Sequence, residues 1–237
     1  MMKVHIWSDY VCPFCYIGKR KFEQALDRFK HSDQVEVIYK SFELDPNAPM
    51  DAVKDMYETL AEKYQMSLDK AKEMTRGVAA QAKEVGLDYD FDKMKRTNTR
   101  DAHRLTHYAS TQGKMQELTE RLLKAYFLEG KHIGSHDTLA QLAEEAGLNK
   151  DEAVRVLSSR EHNDQVEKDI NEASKIGVTG VPFFVFGGKY AVSGAQSPDV
   201  FLEVLEKVWE EENGSGLIHV GENNEKDKDC SDGSCSI

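Results

Sequence analysis

The chain has 237 residues, 40% of them apolar, which is enough for one large domain or for a domain that carries an insertion. Its formal net charge of −11 argues against a nucleic-acid partner, because binding to phosphates needs clustered Lys and Arg. No apolar stretch approaches the roughly 20 residues that a membrane-spanning helix requires, so no membrane partner is expected.

The amino terminus and the cysteines indicate the compartment. The first nine residues (MMKVHIWSD) are too short and too interrupted to be the apolar core of a signal peptide, so we expect a cytoplasmic protein. Thiols in that compartment are kept mostly reduced. The four cysteines are therefore expected to be catalytic, redox-sensing or metal-bound rather than structural disulfides.

The opening of the chain predicts a strand, a helix and a second strand. Residues 4–7 (VHIW) are β-forming and end at a Ser-Asp pair. From Pro13 onward, apolar residues recur at steps of three to five, which is the pattern of an amphipathic helix. Residues 35–39 (VEVIY) form the second predicted strand. This order implies that the two strands pair in parallel through a right-handed crossover.

The rest of the chain predicts a helical block followed by a hairpin and a helix. Residues 50–175 are predicted to be entirely helical, with Gly, Asp and Asn placed to start and stop the helices. A strand is predicted at 181–186 (VPFFVF), followed by a two-residue Gly-Gly turn into a second strand at 190–192. Ser197 is placed to cap a last amphipathic helix.

This order of elements is that of the thioredoxin fold, an α/β fold, here interrupted by a large all-helical insertion. We predict a thioredoxin-like domain built from residues 1–49 and 176–212, and a helical insertion domain over 50–175. Residues 213–237 are rich in Gly, Asn, Asp and Lys and are predicted to form a flexible tail.

Cys12 and Cys15 enclose Pro13 and Phe14 where the first predicted strand gives way to the first helix. At that point the unpaired N–H groups and the positive end of the helix dipole favour a thiolate. We expect Cys12 to be an exposed attacking sulfur, and Cys15 to be a sheltered sulfur one turn deeper that resolves a mixed disulfide.

Zinc binding is the alternative interpretation of the cysteines. Cys230 and Cys235 form a C-x4-C pair in the tail, so the chain could supply four thiolates. Zinc knuckles usually lie in tight turns between short strands, whereas this CxxC pair precedes a long amphipathic helix with Pro in its first turn. The context favours a redox dithiol and no bound metal.

Thr179-Gly180-Val181-Pro182 is the second motif. An ordinary turn with Pro at the start of a strand would explain it. The functional interpretation is a cis Val181–Pro182 bond packed opposite Cys12. Since only about 5–6% of X–Pro bonds in folded proteins are cis, this interpretation depends on the position of the motif at the head of the last strand pair.

Together these residues resemble a known family. The patterns S-D-x-x-C-P-x-C-Y-x-G-K and G-V-x-G-V-P-F-F-V-F, with NTRDAHRL at 98–105, resemble the DsbA family of thiol–disulfide oxidoreductases. The cytoplasmic FrnE-like branch is the more similar one, since it also has a C-terminal C-x4-C. The resemblance implies Cys12 as nucleophile and Cys15 as resolving thiol. It also implies a cis Pro182, backbone hydrogen bonds from Val181 to an extended substrate, and His103 at the cleft.

Two positions depart from the periplasmic members of that family. Their cysteine pair encloses a histidine, whereas Phe14 carries no charge, so a strongly oxidising character does not follow. Some members also carry an acid on the first strand as a proton relay, and Ile6 stands at that place. Asp9 and His5 are the nearby titratable residues, and we expect each to make a local polar contact. His103 and His107 share a helix face, but no third metal ligand accompanies them.

We therefore predict a protein thiol–disulfide oxidoreductase acting as oxidase, reductase or isomerase, without a cofactor. Pro13, Phe14, Val181, Pro182 and His103 are the expected substrate contacts. The partners are proteins bearing thiols or disulfides, with low-molecular-weight thiols as further candidates. A glutathione-dependent transferase or isomerase of small molecules, or a zinc-binding or chaperone-like module, remain as alternatives.

The tail pair has a separate hypothesis. A disulfide between Cys230 and Cys235 would close a short loop in a flexible tail and so would stabilise little of the fold. We expect the pair to exchange disulfides with Cys12 and Cys15 as an accessory redox site.

Overall fold

The computed structural model describes residues 1–51 and 54–213. Four strands form one sheet: β1 (Met2–Ser8), β2 (Val35–Ser41), β3 (Phe183–Phe186) and β4 (Tyr190–Ser193). Within the described residues there are nine α-helices: α1 (Pro13–Arg28), α2 (Met56–Lys63), α3 (Leu68–Glu84), α4 (Arg100–Thr111), α5 (Met115–Phe127), α6 (His136–Glu145), α7 (Lys150–Leu157), α8 (Asn163–Lys175) and α9 (Pro198–Asn213). A short 3₁₀ turn at Ser32–Gln34 precedes β2.

The sheet has the order β2-β1-β3-β4. β1 and β2 pair in parallel, with Val4 opposite Val37, while β3 pairs antiparallel with both β1 and β4. Helix α1 makes the crossover from β1 to β2, and α2 to α8 lie between β2 and β3. The predicted thioredoxin fold with a helical insertion is confirmed.

The two faces of the sheet bury alternate residues of each strand, as expected for period-two side chains. On one face, Ile6 and Phe184 pack with Phe22 of α1 and Phe201 of α9. On the other face, Trp7 packs with residues of α8 and the segment after it. The sheet is thus covered on both sides, and its first strand delivers the chain directly to the CxxC segment.

The helical insertion has a core of its own, which includes part of α1. Tyr16 and Ile17 of α1 are buried with side chains from α4, α5, α6 and α7. Phe22 and Ala25 of the same helix are buried against the sheet. Helix α1, which begins at the CxxC pair, is therefore shared by both cores.

Two element predictions are wrong in detail. Residues 50–175 are not entirely helical, because α3 ends at Glu84 and the chain runs without a helix from 85 to 99. Gly86 has a φ of 78° there, and Leu87 and Met94 are buried without helical structure. The strand predicted from 181 begins at Phe183, after a cis peptide bond.

The predicted hairpin and last cap are confirmed. Gly187 and Gly188 have φ values of 55° and 67°, the left-handed conformation that a type I′ turn requires. The Ser197 hydroxyl accepts a hydrogen bond from the Val200 N–H at 3.4 Å, at the start of α9.

Candidate active site

Cys12 lies immediately before the first residue of α1. Its backbone is extended (φ −88°, ψ 112°), and the helix begins at Pro13, where a missing N–H is no loss. Cys12 is thus the N-cap residue of α1, and its side chain makes no capping hydrogen bond to the N–H groups of the first turn. In proteins generally, the helix dipole and the unpaired N–H groups at such an end favour anionic groups.

Cys15 lies one turn into α1, and its N–H donates to the carbonyl of Cys12 at 3.0 Å. Its thiol accepts a hydrogen bond from the Asp9 N–H at 3.5 Å. Only 3% of Cys15 is exposed, and burial, followed by the neighbouring Cys12 thiol, raises the pKa of Cys15 well above its usual range. Cys15 is therefore a protonated thiol at neutral pH, unlike a thiol at a helix end.

The expectation that Cys12 is exposed is wrong. Cys12 is 4% exposed in the reduced protein, because the segment before β3 lies over it. Its thiol donates a hydrogen bond to the carbonyl of Val181, with 3.4 Å between Sγ and oxygen. The backbone group that was predicted to bind an extended substrate is thus occupied by the sulfur of the candidate nucleophile.

The Val181–Pro182 bond is cis, as predicted. Pro182 is buried beside Gly18 of α1, and a Cβ placed on Gly18 would lie 2.9 Å from Pro182 Cγ. Gly18 belongs to the quoted C-Y-x-G-K pattern, but the sequence alone assigns it no role. Its missing side chain is what lets Pro182 approach α1.

A family model, the DsbA-like thioredoxin domain, matches residues 3–206. The chain belongs to this DsbA-like family.

Individual relatives agree with the assignment. A solved structure of a probable DsbA oxidoreductase from Streptomyces coelicolor is 40% identical, with a TM-score of 0.86, over 92% of this chain and 94% of that one. The uncharacterized protein YwbO of Bacillus subtilis is 32% identical over 86% of this chain and 96% of its own. A 2-hydroxychromene-2-carboxylate isomerase shares the fold at 15% identity, with a TM-score of 0.65, over 91% of this chain and all of the other.

Between the two cysteines, this DsbA-like protein presents one apolar ring. Phe14 is 38% exposed, and Pro13 is half-buried. The Pro13 carbonyl accepts a hydrogen bond from the Tyr89 hydroxyl at 2.7 Å. Tyr89 lies in the 85–99 segment that sequence patterning predicted to be helical, so that segment has a direct contact with the start of α1.

His103 does not line a cleft as expected. It is 3% exposed, and its Nε2 lies 3.3 Å from the Asp9 carboxylate. The same carboxylate accepts the Leu44 N–H at 2.8 Å. Asp9 was expected to make only a local contact, and it instead joins the CxxC loop to α4. In the sequence, the only signals for this contact are that Asp9 belongs to the S-D-x-x-C pattern and His103 to the NTRDAHRL segment.

His103 and His107 do not act on a common ligand. His107 pairs with Asp169 at 3.0 Å, whereas His103 pairs with Asp9. His5 is half-buried, and it lies on the Trp7 face of β1, away from α1. Ile6, which stands where some family members carry an acid, is buried in the sheet core.

The accessory cysteines fall beyond the part of the chain that the structure describes, which ends at residue 213. Cys230 and Cys235 therefore remain a sequence-based prediction. Among the described residues, no group of three or more His, Cys, Asp or Glu side chains could hold a metal ion. Within the same residues, no helix is both long and apolar enough to cross a bilayer.

Proposed function

We propose that the chain is a thiol–disulfide oxidoreductase acting on protein substrates, with Cys12 as nucleophile and Cys15 as resolving thiol. The observation that carries the proposal is the asymmetry of the pair. Cys12 has the helix amino terminus beside it, while burial raises the pKa of Cys15. An attacking sulfur placed at a helix end and a buried, protonated thiol held back to resolve the adduct are the two components that disulfide exchange needs.

The reaction has two steps. The Cys12 thiolate attacks one sulfur of a substrate disulfide, and the other substrate sulfur leaves as a thiolate that takes up a proton. Cys15 then loses its proton and attacks Cys12, which releases the first substrate sulfur and leaves a Cys12–Cys15 disulfide. Two electrons pass from the dithiol to the substrate, and the reverse sequence oxidises a substrate dithiol.

Four residues around Cys12 are proposed to contact the substrate. Phe14 offers the exposed apolar surface beside the nucleophile, with Pro13 next to it. The backbone of Val181, ahead of cis Pro182, offers an acceptor to an extended polypeptide once the Cys12 thiol no longer occupies it. Low-molecular-weight thiols are included as partners, since the same exchange chemistry applies to them.

A cytoplasmic site of action belongs to the proposal. The reducing poise of that compartment would favour the reductase or isomerase direction. Cys230 and Cys235 are proposed to oxidise or reduce the Cys12–Cys15 dithiol by disulfide exchange. Some 17 residues of linker at about 5–6 Å × √n would span roughly 20–25 Å if flexible, which makes contact with Cys12 feasible.

The test is to trap substrates in cells. A Cys15→Ala variant should accumulate mixed disulfides at Cys12, because the resolving attack is lost. A Cys12→Ala variant is the matched control and should trap none. The assignment would be contradicted if Cys15→Ala accumulated no more mixed disulfides than the wild type. It would also be contradicted if Cys12→Ala still formed them.

Two further arms address the alternatives. Adding Cys230→Ser and Cys235→Ser should leave the melting temperature nearly unchanged but alter the rate at which the main dithiol is reoxidised. An unaltered rate would remove the tail from the mechanism. Near-stoichiometric zinc in protein purified without chelators would support a metal-binding module instead.

A further inference from the structure

In the resolving step, some group must accept the proton of Cys15. The inference about that group rests on the proposed function. Cys15 must be deprotonated before it attacks the mixed disulfide, because the thiolate is the nucleophile. It is buried, and its thiol is held in the protonated form. Bulk water does not reach the sulfur freely, so a group inside the protein has to accept the proton.

Asp9 is in direct contact with both halves of the dithiol through its backbone. Its N–H donates to the Cys15 sulfur at 3.5 Å, and its carbonyl accepts from the Cys12 N–H at 3.2 Å. Its carboxylate is 1% exposed and bonds to His103 and to the Leu44 N–H. The residue whose backbone contacts both cysteines therefore also carries the carboxylate of a buried carboxylate–imidazole pair.

The carboxylate also borders a cavity. This cavity has a volume of about 400 Å³ and lies between the CxxC loop and α2. Asp9, Val11 and Tyr126 are part of its wall. The Tyr126 hydroxyl is buried and has no hydrogen-bond partner among the described residues, so a polar atom on this wall is left without one. Asp9 therefore borders both the dithiol and this cavity.

We propose that the Asp9–His103 pair accepts the proton that Cys15 releases during resolution and passes it to solvent through this cavity. In the step, the Cys15 S–H bond breaks and its proton goes to the pair. The new Cys15–Cys12 bond forms as the Cys12–substrate disulfide breaks, and the substrate sulfur leaves with the electron pair. In the oxidising direction the pair returns the proton to Cys15.

The neighbouring titratable groups are poor acceptors of the Cys15 proton near neutral pH. Burial raises the pKa of Tyr10 to about 12, and it raises the pKa of Tyr89 and Tyr126 further, so all three hydroxyls stay protonated. On the far wall of the cavity, Arg96 is paired with Asp45. The other charged groups of that wall belong to α2: Glu62 and Lys63. Imidazole is the side chain whose charge ordinarily changes between about pH 5 and 8, and the Asp9–His103 pair contains one.

The experiment separates the two steps with Ellman's reagent. One equivalent reacts first with Cys12, releasing one thionitrobenzoate, and Cys15 then resolves the adduct, releasing the second. The full-length chain carries Cys230→Ser and Cys235→Ser so that only the main dithiol reports. Asp9→Asn and His103→Gln should slow the second phase by about 10²-fold at neutral pH while changing the first phase less than about threefold.

The pH profile identifies proton transfer. In both variants the second phase should regain speed by about tenfold per pH unit as hydroxide replaces the pair, while the wild-type phase levels off. His107→Gln is the matched control, since His107 is one turn along α4 and pairs with Asp169 instead. It should leave the second phase and its pH profile as in the wild type.

Several outcomes would overturn the proposal. Unchanged second phases in Asp9→Asn and His103→Gln would do so, as would an equal slowing in His107→Gln at equal loss of melting temperature. If Asp9→Asn does not fold, His103→Gln alone decides. A wild-type chain with no second phase, or a second phase that survives in Cys15→Ser, would instead remove the proposed function itself.

Discussion

Gly18 shows how the position of cis Pro182 depends on an absent side chain. A Cβ placed on Gly18 would also lie 3.4 Å from the Cβ of Ala195. An added methyl group would therefore meet the cis-proline segment on one side and the segment after β4 on the other. The Pro182 ring and the Ala195 Cβ are both fixed by the backbone that carries them, so neither can move away by a change of rotamer.

We expect Gly18→Ala to lower the free energy of unfolding by about 1–3 kcal/mol, the usual cost of overpacking, despite the better helix propensity of Ala. The same shift of Pro182 should change the rate of Cys12 alkylation by iodoacetamide. Denaturant titration and timed alkylation with mass spectrometry measure the two effects.

Gly77→Ala is the matched control. Gly77 also lies inside a helix, α3, but nothing lies within 4 Å of the added Cβ. This change should stabilise the protein by about 0.5–1 kcal/mol through helix propensity alone and leave alkylation untouched. A Gly18→Ala protein that matched Gly77→Ala in both measurements would contradict the close-approach argument.

At the scale of elements, one buried carboxylate ties the helical insertion to the sheet. Asp169 of α8 accepts hydrogen bonds from the Ser41 N–H and from Lys40 of β2, and it pairs with His107 of α4. Burial alone would raise the pKa of Asp169. The bonds from His107, Ser41 and Lys40 outweigh burial and lower it below its usual 3.8.

This lowered pKa fixes the sign of a pH effect. The stabilising contribution of Asp169 is fully present above the unfolded-state pKa of about 3.9 and is lost as the pH falls through the lower folded-state pKa. Asp169→Asn should reduce the free energy of unfolding at neutral pH by about 3 kcal/mol, because His107 loses its carboxylate partner and Lys40 keeps only Glu172. It should also flatten the dependence of stability on pH below about 4.

Denaturant titrations across acidic pH measure both effects, and Asp199→Asn provides the comparison. Asp199 pairs with Arg28 on the exposed surface, where such pairs contribute about 0–1 kcal/mol. If the two variants lost equal stability, or if Asp169→Asn kept the wild-type acid profile, the anchoring role of Asp169 would be wrong.

The sequence predicted elements better than it predicted contacts between them. Strands, α1 and the Gly187–Gly188 turn follow from local patterns, and so does the position of Cys12 at a helix start. The pairing of Asp9 with His103 joins residues that are 94 positions apart, and no local periodicity encodes such a distance. The burial of Cys12 was missed for the same reason, since the group over it comes from Val181.

At the scale of the whole molecule, α1 belongs to two cores at once. Its Ile17 is buried among the helices of the insertion, while its Phe22 is buried against the sheet. Neither core can lose α1 and remain packed, so the helical insertion and the sheet layer should unfold together in a single transition.

Ile17→Ala tests this coupling. We expect a loss of about 2–5 kcal/mol, the range for a large-to-small change in a core. Helix content by circular dichroism and the tryptophan fluorescence, which comes from Trp7 and Trp209 of the sheet layer, should shift to the same new midpoint. The exposed Val154 of α7 is the comparison, and Val154→Ala should change stability by less than about 0.5 kcal/mol. A helical signal that melted before the fluorescence would show two independent units.

The hydrogen bond between the Cys12 thiol and the Val181 carbonyl has a further consequence for the order of events. A thiol can donate to that carbonyl, but a thiolate has no proton to donate, and two electron-rich atoms at 3.4 Å repel each other. Ionisation of Cys12 therefore breaks the contact and frees the carbonyl in one event. Under the proposed mechanism, the sulfur becomes able to attack and the backbone becomes able to hold a polypeptide at the same moment. Loss of one proton from Cys12 thus makes both groups available to a substrate.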